Sequence, residues 1–248
     1  LVDLLNAVVP IHFEWVSLYW VFAATTLAMI IIVGFIRFPV VTLKDDERIE
    51  LGGALTDLLR NRTVLLFFAG IFAYVGTEQG IANWISTFLQ LYHGVDPTTT
   101  GATVVSYFWG LMTIGCVLGF VLMKLADSRR VLMVFSMGDI LMLLMGLFGS
   151  KDVALYALPG TGFFASVMWS IIFSLGLNSV AHHHGTFSGI LCTGIVGGAL
   201  VPLIIGGLAE LVGLRFAMLV MLITLGYIFS IGLWAKPLVN NATIKLTN

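Results

Sequence analysis

Glu78, Gln79 and Asn83 interrupt an apolar run that otherwise extends over residues 64–91, and Trp84 follows directly. A charge at the centre of such a run costs at least about 2.5–3.5 kcal/mol on insertion scales, so it faces an aqueous cavity or a polar partner. In that position a carboxylate can also carry a coupling proton. Gln79 and Asn83 are four apart and share one helical face. Each amide both donates and accepts, which suits the mixed hydroxyls of a sugar. The indole of Trp84 offers an apolar plate for the C–H face of a pyranose and an N–H for a hydroxyl. Trp109 and Trp169, inside two other apolar runs, offer the same. Together these residues describe a wall for a polyhydroxylated solute. A plainer reading stays open for each: the acid fixes a neighbouring helix, the amides join helices, and the tryptophans pack or mark the interface.

Asp139 is a second acid inside an apolar run, with Ser136 and Gly138 as its small or polar near neighbours. A structural role suits it better than a coupling one. His182, His183 and His184 are consecutive and point in different directions on a helix. A metal site needs spaced ligands that converge, such as two histidines four apart, so the three read as a solvated turn. Gly115 and Gly119 make a GxxxG spacing, and a later run contains Gly194, Gly197, Gly198, Gly206 and Gly207. Small residues let backbones approach and slide, so these suit the packing of a moving bundle. No nucleophile–base pairing, phosphate loop or zinc spacing occurs. The reading therefore includes no enzyme, no cofactor and no metal.

Such residues act only if helices hold them at one depth in a bilayer. The 248-residue chain is 59% hydrophobic and 10% charged, with a mean hydropathy of +1.03. Soluble domains carry roughly 25% charged residues, so this is an integral membrane protein. Low charge with 27 glycines excludes a coiled coil or a disordered chain, and a net charge of −1 argues against nucleic acid. Cys116 and Cys192 both lie in apolar runs and suggest no disulfide framework. A spanning helix needs about 20 mostly apolar residues. Seven runs qualify: 18–36, 64–91, 101–123, 131–148, 153–177, 186–209 and 216–235. Strand-like alternation is absent, which excludes an outer-membrane barrel. The fold class is an all-α polytopic membrane bundle of seven transmembrane helices.

Connector charge sets the expected orientation. Arg37, Lys44, Arg48, Arg60, Arg62, Lys124, Arg129, Arg130, Lys236 and Lys245 fall on one side, and only Lys151 and Arg215 on the other. By the positive-inside rule the chain starts outside and ends in the cytoplasm. The sequons at Asn61 and Asn241 then lie inside, away from glycosylation. Residues 1–14 show neither a basic start nor a small-residue cleavage site, so no signal peptide is expected. The polar segment 44–50 reads as part of a cytoplasmic linker. The expected division is 1–37, the end of an N-terminal half with one helix; 38–62, the linker; and 63–248, a six-helix domain. One helix plus six is what a cut through a larger transporter leaves. The third span ends in Lys124-Leu125-Ala126-Asp127 and the sixth in Gly207-Leu208-Ala209-Glu210, 83 residues on and in the opposite orientation. Inverted repeats of this kind build secondary transporters.

Residues 119–132, GFVLMKLADSRRVL, resemble the loop motif between helices 8 and 9 of the major facilitator superfamily. Asp127, Arg129 and Arg130 stand in its acidic and basic places, while Ser128 replaces the usual glycine. Tyr74-Val75-Gly76-Thr77-Glu78 resembles the helix-7 signature of the fucose–galactose–glucose:proton symporter group. SVMWSIIFSL at 166–175, and 185–207 with Ile195-Val196-Gly197-Gly198-Ala199 and Pro202, resemble its helices 10 and 11. The resemblance implies the C-terminal half of such a carrier, preceded by its sixth helix. It also implies a peripheral place for the helix bearing Asp139, and charge contacts of Asp127, Arg129 and Arg130 that hold one end of the carrier closed. The expected function is secondary transport of a hexose-like sugar by alternating access, coupled to a proton or sodium, in the inner membrane. The alternatives are a carrier of another small polar solute, or a seven-helix membrane protein that does not transport. A retinal protein is disfavoured, because every lysine lies in a loop or at a span edge.

Overall fold

The computed structural model describes residues 17–36 and 53–238. Arg37, Lys44, Arg48, Lys245, the sequon at Asn241 and the segments 1–14 and 44–50 lie outside the described residues. The chain divides into two units, Leu1–Lys44 and Asp45–Asn248. In the first, α1 (Ser17–Phe35) is one apolar helix of 19 residues, roughly 28 Å long at 1.5 Å per residue. Thr25 and Thr26 turn their hydroxyls back to the carbonyls of Val21 and Phe22 at 2.8 Å, so neither hydroxyl is left free to meet hydrocarbon.

The second unit opens with the short amphipathic α2 (Gly53–Arg60) and then α3 (Arg62–His93). Asn61 caps α3 by accepting the Thr63 N–H at 2.9 Å. Gly94 ends it at φ +63°, a left-handed conformation that glycine adopts without strain. A wide turn, Pro97–Gly101, leads into α4 (Ala102–Leu125). Asp127 caps α5 (Ser128–Phe148), and Ser150 caps α6 (Lys151–Ala165). Then follow α7 (Met168–Leu177), α8 (His184–Thr193), α9 (Gly197–Val212), α10 (Leu214–Ala217) and α11 (Val220–Trp234). By length and composition six stretches can cross a membrane: Arg62–His93, Pro97–Leu125, Ser128–Phe148, Lys151–Leu177, His184–Val212 and Leu214–Trp234. With α1 they match the seven runs read from the sequence. Strands are absent among the described residues.

Two crossings that read as single runs are broken helices. The stretch 153–177 divides between α6 and α7, and 186–209 divides at a 3-10 turn, Gly194–Val196. Pro159 and Pro202 each remove a backbone donor inside these crossings. Side chains near the first break take up carbonyls: Thr161 donates to Leu158 O at 2.6 Å, Ser166 to Phe163 O at 2.7 Å and Cys116 to Ser166 O at 3.4 Å.

The strongest packing runs between the first three crossings and the last three, with α9 on α3, α6 on α4 and α5, and α11 on α5 and α3. Glycines permit it. The Gly197 Cα faces the Phe72 carbonyl, Gly162 faces the Phe108 carbonyl, and Gly115 and Gly119 let α4 lie against Phe163–Val167. On α4 only Val104, Phe108, Gly115 and Gly119 are buried, so most of that helix is an open flank.

Candidate functional site

On α3 the residues that are not fully buried follow a helical stripe. Phe68, Phe72 and Gln79 are half-buried and Asn83 is exposed, at spacings of four, seven and four. Glu78 sits half-buried at the edge of this stripe, and the Gln79 amide donates to its carboxylate at 3.3 Å. One turn earlier on the same helix the buried Tyr74 engages Glu78 through its hydroxyl. The acid therefore has a phenol on its buried side and an amide on its open side.

Gln79 is held laterally by α9, where Gly198 has no side chain to displace it. Trp84 lies over Gly206, and its indole N–H donates to Pro202 O at 3.2 Å. That N–H is engaged by the protein, and the half-buried ring face remains. Trp109, on α4, is exposed and meets Phe108 edge-on at 5.2 Å between centroids. Trp169, on α7, is stacked on Phe173 at 4.8 Å. Neither makes a hydrogen bond or ring contact with Glu78, Gln79, Asn83 or Trp84 among the described residues. Of the six expected binding residues, Glu78 and Gln79 are bonded to each other, Asn83 and Trp84 stand further along the same helix, and the other two tryptophans stand on α4 and α7.

Asp127, Arg129 and Arg130 stand where α5 begins. Asp127 accepts the Arg129 N–H at 2.8 Å and pairs with its guanidinium at 3.4 Å. Arg129 also reaches the carbonyl of Ala235 at 3.4 Å, tying the start of α5 to the end of α11. Partial burial works to raise the Asp127 carboxyl, but the bonds and charge of Arg129 and the Arg130 backbone N–H outweigh it and hold the group below the usual aspartate range. The Arg130 side chain is exposed. His182, His183 and His184 are exposed where α7 gives way to α8, with His183 at φ +62°.

Two pairings were missed from the sequence. Tyr74 stands four residues before Glu78, a spacing that brings side chains together. At the other end of α3, Tyr92 accepts the backbone N–H of Arg215 at 3.1 Å, while the Arg215 guanidinium lies over its ring at 4.5 Å. No local pattern links residues 123 positions apart.

Residues 4–195 match the family model described as Major Facilitator Superfamily. Over 178 residues the chain is 36% identical to a glucose/galactose transporter of Brucella abortus, covering 69% of this chain and 42% of that protein. It is 32% identical over 142 residues to a putative glucose/galactose transporter of Helicobacter pylori, covering 57% of this chain and 35% of that one. The chain thus spans less than half the length of these curated relatives. The fold resembles that of the E. coli fucose:proton symporter at a TM-score of 0.74 and 19% identity, covering 94% of this chain and 60% of that one. A second structure of that symporter, in the outward conformation, gives 0.73 at 20% identity. These relatives are transporters, not enzymes. With broken, glycine-packed helices arranged as in that fold and a family match across most of its length, the chain belongs to the major facilitator superfamily.

Proposed function

We propose that this chain supplies the C-terminal wall of a sugar carrier that works by alternating access, with a hexose-like substrate and a coupling cation, proton or sodium. The carrying observation is Glu78, half-buried in the bundle with Gln79 bonded to it and Asn83 one turn on along the same open flank. The glucose/galactose transporters among its relatives support a hexose. The other wall belongs to a preceding half, of which residues 1–37 form the end and 38–62 the linker. Trp84, Trp109 and Trp169 supply ring faces to the sugar. Asp127 and Arg129, with Arg130 beside them, brace the cytoplasmic end of the closed carrier. The fragment lies in the inner membrane with its N-terminus outside and its C-terminus inside.

A carboxylate accepts charge-assisted bonds from sugar hydroxyls, worth about 1.5–3 kcal/mol each. Glu78→Gln keeps the shape and an acceptor but removes the charge. In the full-length carrier it should weaken hexose binding by about tenfold or more, equivalent to roughly 1.4 kcal/mol. Equilibrium binding and counterflow with purified protein measure this. Wild-type binding in correctly folded variant would make the acid structural and remove the basis of this reading.

A further inference from the structure

Helix α9 meets α3 along two adjacent rows. Its buried row is Gly197, Val201 and Ile205. On α3, Gly76 and Gly80 oppose Val201 and Ile205, which brings the two backbones close. One position on, Gly198, Pro202 and Gly206 form a half-buried row at spacings of four. This second row touches side chains of the candidate sugar wall. A Cβ on Gly198 would lie 3.0 Å from Cγ of Gln79 and 2.9 Å from Cγ1 of Val75, too close for either group to stay in place. A Cβ on Gly206 would lie 3.1 Å from Cζ2 of Trp84. Between them, the carbonyl of Pro202 accepts the Trp84 N–H at 3.2 Å. Gly207, the next residue, has nothing within 4 Å of its Cβ position. One helix thus carries both the contact positions and a control. Gln79 has little freedom as a result, since its stem lies against Gly198 and its amide donates to Glu78 at 3.3 Å. The amide carbonyl and the second N–H are left for a ligand. Trp84 is held at both its N–H and its ring edge.

We propose that α9 sets which hexose the site prefers, with Gly198 and Gly206 as positioning residues that act through Gln79 and Trp84. This rests on the reading of α3 as a sugar-binding wall. Hexose epimers differ in the direction of one hydroxyl, so discrimination between them depends on where the amide and the ring stand. Hydrogen bonds weaken steeply as their geometry departs from linear, and a small displacement of a donor therefore counts. A methyl group on Gly198 displaces the Gln79 stem and draws its amide off Glu78. One on Gly206 tilts the indole. Each change keeps every polar group of the wall and alters only its position. The packed α9 surface is thus the template, and the groups on α3 are what it aims.

The test measures equilibrium binding of D-glucose and D-galactose to the purified full-length carrier, with Tm as the control for folding. G198A should weaken binding of at least one hexose by about fivefold and change the glucose-to-galactose Kd ratio by about threefold or more, at near wild-type Tm. G206A should move the ratio by a similar factor, and G207A should match wild type. In a Q79A background, adding G198A should change affinity by less than about twofold, because the group it displaces is gone. A folded G198A that binds both hexoses as wild type does, or that loses both by one factor with the ratio unmoved, would overturn the proposal. A full G198A effect in the Q79A background would do the same. If G198A does not fold, G198A with V75A removes the nearer obstacle and is read against V75A alone. If that also fails, the ratio in G206A decides. E78Q separates the two failures. Wild-type hexose binding in E78Q removes the sugar-site reading itself, whereas weakened binding there with an unmoved ratio in G198A and G206A removes only the role of α9.

Discussion

At Trp84 the ring and the N–H have separate uses, and the structure separates them. The N–H donates to Pro202 O across the α3–α9 contact, and the ring lies on Gly206. Trp84→Phe keeps most of the ring and removes the bond. We expect a loss of about 0.5–1.5 kcal/mol in stability, seen as a lower Tm of the purified carrier, with hexose affinity changed by less than about twofold. A large loss of affinity at unchanged Tm would give the indole N–H to the sugar instead. Tyr92, at the C-terminal end of α3, likewise divides its ring and its hydroxyl: the Arg215 guanidinium lies over the ring, and the Arg215 backbone N–H donates to the hydroxyl.

Helix α4 carries its own control for the role of small residues. A Cβ on Gly119 would collide with Val167 of the α6–α7 break, whereas one on Gly110 would meet nothing within 4 Å. Gly119→Val should therefore sharply reduce the yield of folded carrier, while Gly110→Val should be tolerated, as size-exclusion profiles after extraction would report. Equal tolerance at both positions would remove the close α4–α6 approach from the account. At the start of α5, Asp127 does two jobs, capping the helix and holding Arg129 against α11. Its carboxyl lies below the ordinary aspartate range. Its contribution to stability is thus fully present above that range and fades as pH falls through the lowered value. Asp127→Asn should change transport rate more than sugar affinity and flatten the acid side of the Tm-versus-pH curve. A normal rate with weakened binding would contradict a bracing role.

Orientation belongs to the whole molecule. The connector between α3 and α4 lacks Lys and Arg, and the end bearing Arg60, Arg62, Arg129, Arg130 and Lys236 is strongly basic. In a full-length carrier with Cys116 and Cys192 replaced, a cysteine at the exposed Thr99 should react with an impermeant thiol reagent from outside. One at the exposed His182 should react only after the membrane is opened. The reverse pattern would invert the assignment. The open flanks of α3 and α4, and the thin burial of α8 and α9, are the surfaces a second half-carrier and lipid would cover.

The span positions, the all-α class and the apolar depth of Glu78 were legible in the sequence, because a bilayer imposes length and hydrophobicity locally and each run carries its own signal. The Gln79–Asn83 face was legible for a similar reason, since i,i+4 spacing needs only one helix. Other features depended on which helix lies against which. Pairing α9 with α3 occupies the Trp84 N–H, which sequence alone left free for a ligand. Breaks at Ser166–Val167 and Gly194–Val196 divide runs that hydropathy reads as continuous; at the first, Cys116 of α4 joins the local hydroxyls of Thr161 and Ser166 in taking up carbonyls. Asp139 is the clearest case. Its neighbours in sequence, Ser136 and Gly138, suggested an ordinary structural acid. Only the packing of α6 and α11 onto α5 buries its carboxylate wholly, with neither oxygen hydrogen-bonded among the described residues.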